Sequence, residues 1–176
     1  MPVSKSNKPT AMISTSRRDF LRGRRSSAPP ALRPPWALAE EAFTAACSQC
    51  GDCLRACPAG ILIAGKDGFP SVDFSRGECS FCGDCLAACA PGALRRDEAQ
   101  AAWSHRAHIG EACLAQSGVE CRVCGEACGA SAIRFRPRLG GPALPQLDEA
   151  ACSGCGACLA SCPTQAIAMA IPETTQ

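Results

Sequence analysis

Cysteine constrains this chain more than any other residue, because sixteen of the 176 residues are Cys. They fall into four groups of four with none left over, called motifs one to four in chain order. The motifs are Cys47, Cys50, Cys53, Cys57; Cys79, Cys82, Cys85, Cys89; Cys113, Cys121, Cys124, Cys128; and Cys152, Cys155, Cys158, Cys162. So much Cys in a short chain indicates a disulfide scaffold or a metal-cluster protein. With 6 Phe, 2 Trp and no Tyr, a large aromatic core is not expected, so such cross-links should replace it.

The spacing within the motifs indicates iron–sulfur clusters. Motifs one, two and four have the pattern C-x2-C-x2-C-x3-C, and motif three has C-x7-C-x2-C-x3-C. In the first pattern the chain forms a tight loop in which thiolates and backbone N–H groups converge. When a Pro follows the last Cys, this pattern is the cysteine motif of bacterial ferredoxins. Pro58 and Pro163 complete the run in motifs one and four. Pro91 stands one residue late in motif two, and Gly129 takes its place in motif three.

Three other interpretations are open from the residues, and each fits the spacing less well. A disulfide scaffold requires an oxidising compartment, and cysteines so close together in a tight loop seldom reach bridging geometry. Structural zinc usually takes two C-x2-C pairs that are well separated in sequence. A redox-active dithiol needs one C-x2-C pair, whereas this chain has several. The pattern therefore favours iron–sulfur clusters over all three.

The ferredoxin run also predicts which cysteines share a cluster. In two-cluster ferredoxins the fourth Cys of each run binds the cluster of the other run. We therefore expect four 4Fe-4S clusters, held by four quartets that are numbered first to fourth. The quartets are Cys47, Cys50, Cys53, Cys89; Cys57, Cys79, Cys82, Cys85; Cys113, Cys121, Cys124, Cys162; and Cys128, Cys152, Cys155, Cys158. Loss of iron should unfold such a chain, as loss of zinc unfolds a zinc finger.

The segments between the motifs repeat as well, which predicts a duplicated α+β fold. Apolar runs flank a Gly/Asp turn within residues 59–73, and others flank Gly140-Gly141 within residues 132–147, so each segment is expected to form a β-hairpin. The first helical pattern starts near Trp36. The prediction is two bacterial ferredoxin-like, two-cluster units with short hairpins and short helices. The expected segments are a disordered basic tail over 1–36, units over 37–96 and 106–172, and a short connecting helix over 97–105.

Charge separates the tail from the rest of the chain. Residues 1–36 carry eight basic side chains and one acidic, a net charge of +7, whereas the rest carries 10 basic and 15 acidic, a net charge of −5. Residues 16–22 resemble a twin-arginine export signal. The apolar stretch that such a signal needs is interrupted by Arg24, Arg25 and the pair Pro29-Pro30. The protein is therefore expected to stay in the cytoplasm, where thiols are reduced.

No other feature of the sequence suggests catalysis, so the chain is not expected to be an enzyme. It has no Gly-rich phosphate loop after a strand and no nucleophile motif. His105 and His108 are expected to lie on a solvated helix face. Arg134, Arg136 and Arg138 alternate on a predicted strand without stacking aromatics, so we interpret them as a solvent face and expect no nucleic-acid partner. No apolar stretch is long enough to span a membrane.

Taken with the tail, the four motifs resemble the NapF family of ferredoxin-type proteins over about residues 14–170. The similarity includes Ser16-Arg17-Arg18-Asp19-Phe20-Leu21-Arg22-Gly23 and the stretched third motif, Cys113-Leu114-Ala115-Gln116-Ser117-Gly118-Val119-Glu120-Cys121. The resemblance implies a cytoplasmic 4Fe-4S protein that contacts the precursor of the periplasmic nitrate reductase catalytic subunit and assists its maturation before export. Two alternatives stay open. One is a polyferredoxin subunit that transfers electrons in a respiratory complex, and the other is an interaction module whose clusters only hold its shape.

Overall fold

Short helices and short strands alternate along the chain, which confirms the predicted α+β architecture. The computed structural model describes residues 31–97 and 100–171, and these belong to one compact unit that begins at Ala31. Its helices are α1 Glu40–Ala46, α2 Asp52–Ala56, α3 Asp84–Ala87, α4 Val123–Glu126 and α5 Ala157–Ser161, with a 3-10 helix, η1, over Phe74–Arg76. Its strands are β1 Leu62–Ala64, β2 Pro70–Val72, β3 Arg106–Ile109, β4 Ile133–Arg138, β5 Gly141–Leu147 and β6 Ile167–Ala170.

Both predicted hairpins are present between paired motifs. Strands β1 and β2 pair antiparallel, with Leu62 opposite Val72. Strands β4 and β5 pair antiparallel around the turn at Gly140, which has a φ of 73°. The alternating arginines of β4 are exposed, as expected, because Phe135 between them packs toward the core. The period-two pattern and the Gly turns thus predicted these elements correctly.

A third two-stranded sheet was not predicted from the sequence. Strand β3 pairs antiparallel with β6, and Arg106 lies opposite Ala170. In the first half of the chain a single bridge between Ala37 and Leu94 occupies the corresponding place, outside the two motifs. These strands are far apart in sequence and no turn joins them, so no local signal could pair them.

The connecting segment is not helical, so the prediction of a helix over 97–105 was wrong for its described residues. Residues 100–105 form bends that lead into β3. Two hydrogen bonds stabilise this conformation of the segment. The backbone N–H of Trp36 donates to the carbonyl of Ala102 at 2.9 Å, and Nε1 of Trp103 donates to the carbonyl of Arg33 at 2.9 Å. Burial of the Trp103 ring outweighs the helical preference of this Ala-rich stretch.

His105, the last residue of this segment, also differs from the prediction, which placed it on a solvated helix face. Its side chain is buried, with 3% of the residue exposed, and it packs against Trp103 with ring centroids 4.9 Å apart. Burial lowers the pKa of His105 to about 4, so the imidazole is neutral at pH 7. His108, in contrast, is exposed on β3. The expected pair of solvated histidines on one helix face is therefore absent from this segment.

The start of the described chain also differs from the expectation. Helix α1 begins at Glu40 rather than near Trp36, whose φ of 61° lies in the left-handed region. Residues 31–36, assigned to the tail from their composition, pack against the core, where Pro34 and Trp36 are buried. The rest of the predicted tail, including the twin-arginine-like segment, lies outside the described residues.

Arg33 fixes this segment to the first hairpin. Its guanidinium forms ion pairs with Glu40 at 2.6 Å and Asp67 at 2.7 Å, although only 11% of the Arg33 side chain is exposed. The same group lies over the rings of Phe43 and Phe69, 5.3 and 5.4 Å from their centroids. One side chain thus ties the entering chain to α1 and to the turn before β2.

We expect Arg33→Ala to destabilise the folded protein by about 2 kcal/mol, because it removes charge-assisted hydrogen bonds and two cation–π contacts. For a chain of this size, that loss lowers the thermal midpoint by about 4–8 °C. The measurement is thermal unfolding of anaerobically purified protein. Arg76→Ala, at an exposed position, is the control and should leave the midpoint nearly unchanged. Equal midpoints for the two variants would contradict the anchoring role.

The apolar core is small and continuous between the two halves. The first-half cluster contains Phe43, Ile61 and Phe74, and a smaller cluster lies around Ile133 and Ile167. Leu159 and Met169 pack against both clusters.

No helix within residues 31–97 and 100–171 is long and apolar enough to cross a membrane.

Candidate iron–sulfur site

Motifs one, two and four share one loop geometry. The residue after the second Cys is Gly51, Gly83 or Gly156, and each has a φ between 75° and 86°. This left-handed conformation suits glycine and turns the chain into a short helix. The third Cys of each motif lies in that helix and is buried, with 7–8% of each residue exposed: Cys53, Cys85 and Cys158. The second Cys sits on the outer side of the loop and is exposed in motifs one and two.

Motif three builds its loop differently. Arg122 follows its second Cys, and the φ of this residue is −131°. The seven residues between Cys113 and Cys121 supply the turn instead, with Gly118 at a φ of 89°. Cys124 still lies in the short helix that follows, α4. Motif three therefore forms its turn in the longer first gap, whereas the other motifs form it at the glycine after the second Cys.

A turn that the sequence analysis missed follows the fourth Cys of every motif. The residue three positions after that Cys has a positive φ and donates its N–H to the carbonyl of the Cys; the four residues are Gly60, Gly92, Ser131 and Gln165. In the second half the next backbone N–H, of Ala132 or Ala166, donates to the Cys sulfur at 3.3 Å. Such N–H···S bonds tune the potential of a bound cluster. Two of the four residues are not glycine, so composition carried no clear signal for this turn.

The structure brings the cysteines together in the quartets expected from crossed pairing. The thiols of Cys47, Cys50 and Cys89 lie close enough to Cys53 to raise its pKa. Each of the other three quartets lines one cavity. Thus the fourth Cys of each motif faces the loop of the motif with which it is paired.

Burial governs the protonation of the metal-free thiols. It raises the pKa of Cys53 and Cys124 to about 11 and that of Cys85 and Cys158 to about 12, with smaller contributions from neighbouring thiols. Cys162 differs, because hydrogen bonds from nearby N–H groups outweigh its burial and lower its pKa. At neutral pH the four thiols with raised pKa values are therefore protonated, and metal binding must release those protons.

The donor set fits iron–sulfur clusters. Each quartet offers four sulfur atoms, three from one loop and one from the paired motif. In the second, third and fourth quartets these atoms line a space that other side chains leave open. Thiolate sulfur in sets of four is the ligand set of 4Fe-4S clusters. Within the described ranges, no three thiol, imidazole or carboxylate groups converge as the ligands of one metal ion would.

Comparison with known proteins supports iron–sulfur clusters as the cofactors of this chain. The 4Fe-4S dicluster domain matches the chain twice, over residues 46–93 and 119–166. The chain is 47% identical over 155 residues to ferredoxin-type protein NapF of Escherichia coli (strain K12), covering 88% of this chain and 94% of that protein. It is 45% identical over 163 residues to ferredoxin-type protein NapF of Haemophilus influenzae, covering 87% and 92% respectively. The chain belongs to the NapF family of ferredoxin-type proteins.

Membership of the NapF family, with two dicluster domains, identifies the cofactors as 4Fe-4S clusters, four in total. The second domain match begins at residue 119, so Cys113 lies before it. A more distant relative is a subunit of the ion-translocating oxidoreductase complex of Methanosarcina acetivorans. It is 39% identical over 128 residues, which cover 70% of this chain and 47% of that protein. Its name shows that a related chain also occurs in an oxidoreductase complex.

Proposed function

We propose that all sixteen cysteines bind iron and that each quartet holds one 4Fe-4S cluster. The observation that supports this assignment is the placement of the fourth Cys of each motif beside the three thiols of its paired motif. A bound cluster supplies one-electron redox chemistry within roughly −700 to +450 mV. The chain itself supplies the thiolates, the N–H groups that donate to sulfur and the walls that limit access of water.

We further propose that the protein acts in the cytoplasm as a maturation factor of the periplasmic nitrate reductase catalytic subunit, whose precursor it binds before export. Membership of the NapF family carries this proposal. The tail supports the cytoplasmic location, because Arg24, Arg25 and Pro29-Pro30 interrupt the apolar stretch of its export-like segment. The opposite charges of the tail and the body offer two surfaces for docking.

The test is capture of the precursor by the tagged full-length protein under anaerobic conditions. We expect capture by the wild-type protein and a loss of roughly tenfold or more, about 1.4 kcal/mol, when Cys152, Cys155 and Cys158 are replaced by Ser. The reason is that the fourth cluster holds the second half of the chain in shape. A control with Ser80, Ser104 and Ser153 replaced by Ala keeps every thiol and should bind normally. Capture should also weaken as salt rises, if charge contributes.

A role in electron transfer is the second candidate, favoured by the likeness to a subunit of an ion-translocating oxidoreductase complex. Absence of capture by the wild-type protein, with its clusters loaded, would leave this as the better account. Equal capture by the wild-type protein and the cysteine variant would show that docking does not need the fourth cluster.

A further inference from the structure

The two halves of the chain meet at two motif loops that are distant in sequence. The backbone N–H of Cys79, the first Cys of motif two, donates to the carbonyl of Cys155, the second Cys of motif four, at 2.8 Å. Burial is the main cause of the raised pKa of Cys79, with smaller contributions from the thiols of Cys57 and Cys82. The Cys155 thiol is also close enough to contribute. A ligand of the second quartet therefore touches a ligand of the fourth.

A set of small and aromatic residues closes this contact. Phe74 of η1 lies directly against Gly156, and a Cβ added to that glycine would overlap the Phe74 ring. Trp103 packs edge-on to the same ring with centroids 5.6 Å apart. The buried side chain of His105 lies beside Gly154, where an added Cβ would stand 2.9 Å from the His105 carbonyl oxygen. The segment that joins the halves thus forms the wall of the contact, and two glycines of motif four permit the close approach.

Within each half the neighbouring quartets are linked by the crossed fourth cysteines. Cys57 follows α2 but faces the second quartet, and Cys89 follows α3 but faces the first. In the second half, the thiol of Cys124 in the third quartet is near enough to Cys158 of the fourth to act on its pKa. Each half therefore has one quartet at the contact and one away from it.

We infer that the second and fourth quartets are direct neighbours across the two halves, so that the four quartets form one series in the order first, second, fourth, third. The inference rests on the ligand sets proposed above. Phe74 and Gly156 act as positioning residues that set the approach of the two inner quartets. The spatial order differs from the order along the chain, and the unusual third motif lies at one end of the series. Val119 and Val123, exposed apolar side chains of that motif, lie at this end.

Two double variants test the order, each retaining one quartet from each half. Cys50→Ala with Cys121→Ala leaves the second and fourth quartets, whereas Cys82→Ala with Cys155→Ala leaves the first and third. Each variant should hold about 8 iron atoms, from two 4Fe-4S clusters. After reduction, electron paramagnetic resonance should show spin–spin interaction in the first variant and two isolated signals in the second. Isolated signals in both, or interaction only in the second, would overturn the inferred order.

A third comparison examines the positioning residues without touching a ligand. In the first double variant, Phe74→Leu should reduce the interaction, whereas the control Phe43→Leu, a buried ring packed against Phe69 in the first half, should leave it unchanged. Equal spectra would remove Phe74 from the positioning role.

Complete loss of iron from the double variants would count against the proposed ligand sets. The contact between the halves can then still be tested by hydrogen exchange in the unsubstituted, cluster-loaded protein. The Cys79 N–H should exchange slowly, because it is bonded to Cys155 in the other half. Fast exchange at Cys79 beside slow exchange in α5 would overturn the contact itself.

Discussion

Removal of iron is expected to unfold the cysteine-containing part of the protein. The described residues bury only small apolar clusters, and three of the four thiol quartets surround cavities where other proteins place side chains. Cluster binding therefore supplies folding free energy, as structural zinc does with about 10–16 kcal/mol in zinc-finger peptides. Anaerobically purified protein should contain about 16 iron atoms, four for each 4Fe-4S cluster. Chelation should abolish the visible absorbance and the near-ultraviolet circular dichroism together.

Reconstitution provides the control for this experiment. Iron with sulfide should restore both signals, whereas zinc at the same concentration should not, because the quartets are arranged around cavities rather than around one ion. A chelated protein that kept its tertiary signal would show that apolar packing alone holds the fold. Purification with stoichiometric zinc and no iron would contradict the cofactor assignment.

Loss of a single cluster is the expected effect of Cys57→Ala, and the cluster lost should be that of motif two. Cys57 ends motif one in sequence but lines the cavity of Cys79, Cys82 and Cys85. The iron content should fall from about 16 to about 12 atoms. Adding Cys82→Ala should cost no further iron, because that ligand belongs to the same quartet. Adding Cys50→Ala instead should lower the content to about 8 atoms, because a second quartet is then broken.

The reciprocal variant is the matched control. Cys89→Ala should remove the cluster of the first quartet and spare that of the second. Adding Cys50→Ala to this variant should therefore cost no further iron, whereas adding Cys82→Ala should remove a second cluster. If each motif bound its own cluster, both sets of double variants would give the opposite pattern. Iron counting alone separates the two outcomes, so no assignment of overlapping spectra is needed.

Spacing alone predicted the chemistry of this chain, because three of the four cysteines expected around each cluster belong to one short motif. Three cysteines in one tight loop fix the type of ligand, the local turn and the short helix that contains Cys53, Cys85 or Cys158. Both hairpins were predictable for the same reason, since a turn at Gly140 joins strands that are adjacent in sequence. The family resemblance was confirmed by relatives at 45% and 47% identity.

Composition was misleading where a few long-range contacts decide the structure. Arg33 belongs by charge and by its flanking prolines to a solvated tail, yet ion pairs with Glu40 and Asp67 place it in the body. His105 has polar neighbours in sequence, yet aromatic rings from η1 and from the connecting segment enclose it. The contacts of Arg33 with Asp67 and of His105 with Phe74 join residues far apart in sequence, so a local pattern does not report them.

The sequence by itself determined the type of cofactor, the number of clusters and the local turns that contain the cysteines, since those properties depend on residues a few positions apart. Tertiary structure decided the pairing of β3 with β6, the burial of the connecting segment and the contact between Cys79 and Cys155. These features join residues that are distant along the chain through backbone hydrogen bonds and ring packing. Such bonds are open to almost any residue type, so the contact between Cys79 and Cys155 leaves little trace in the spacing of the cysteines.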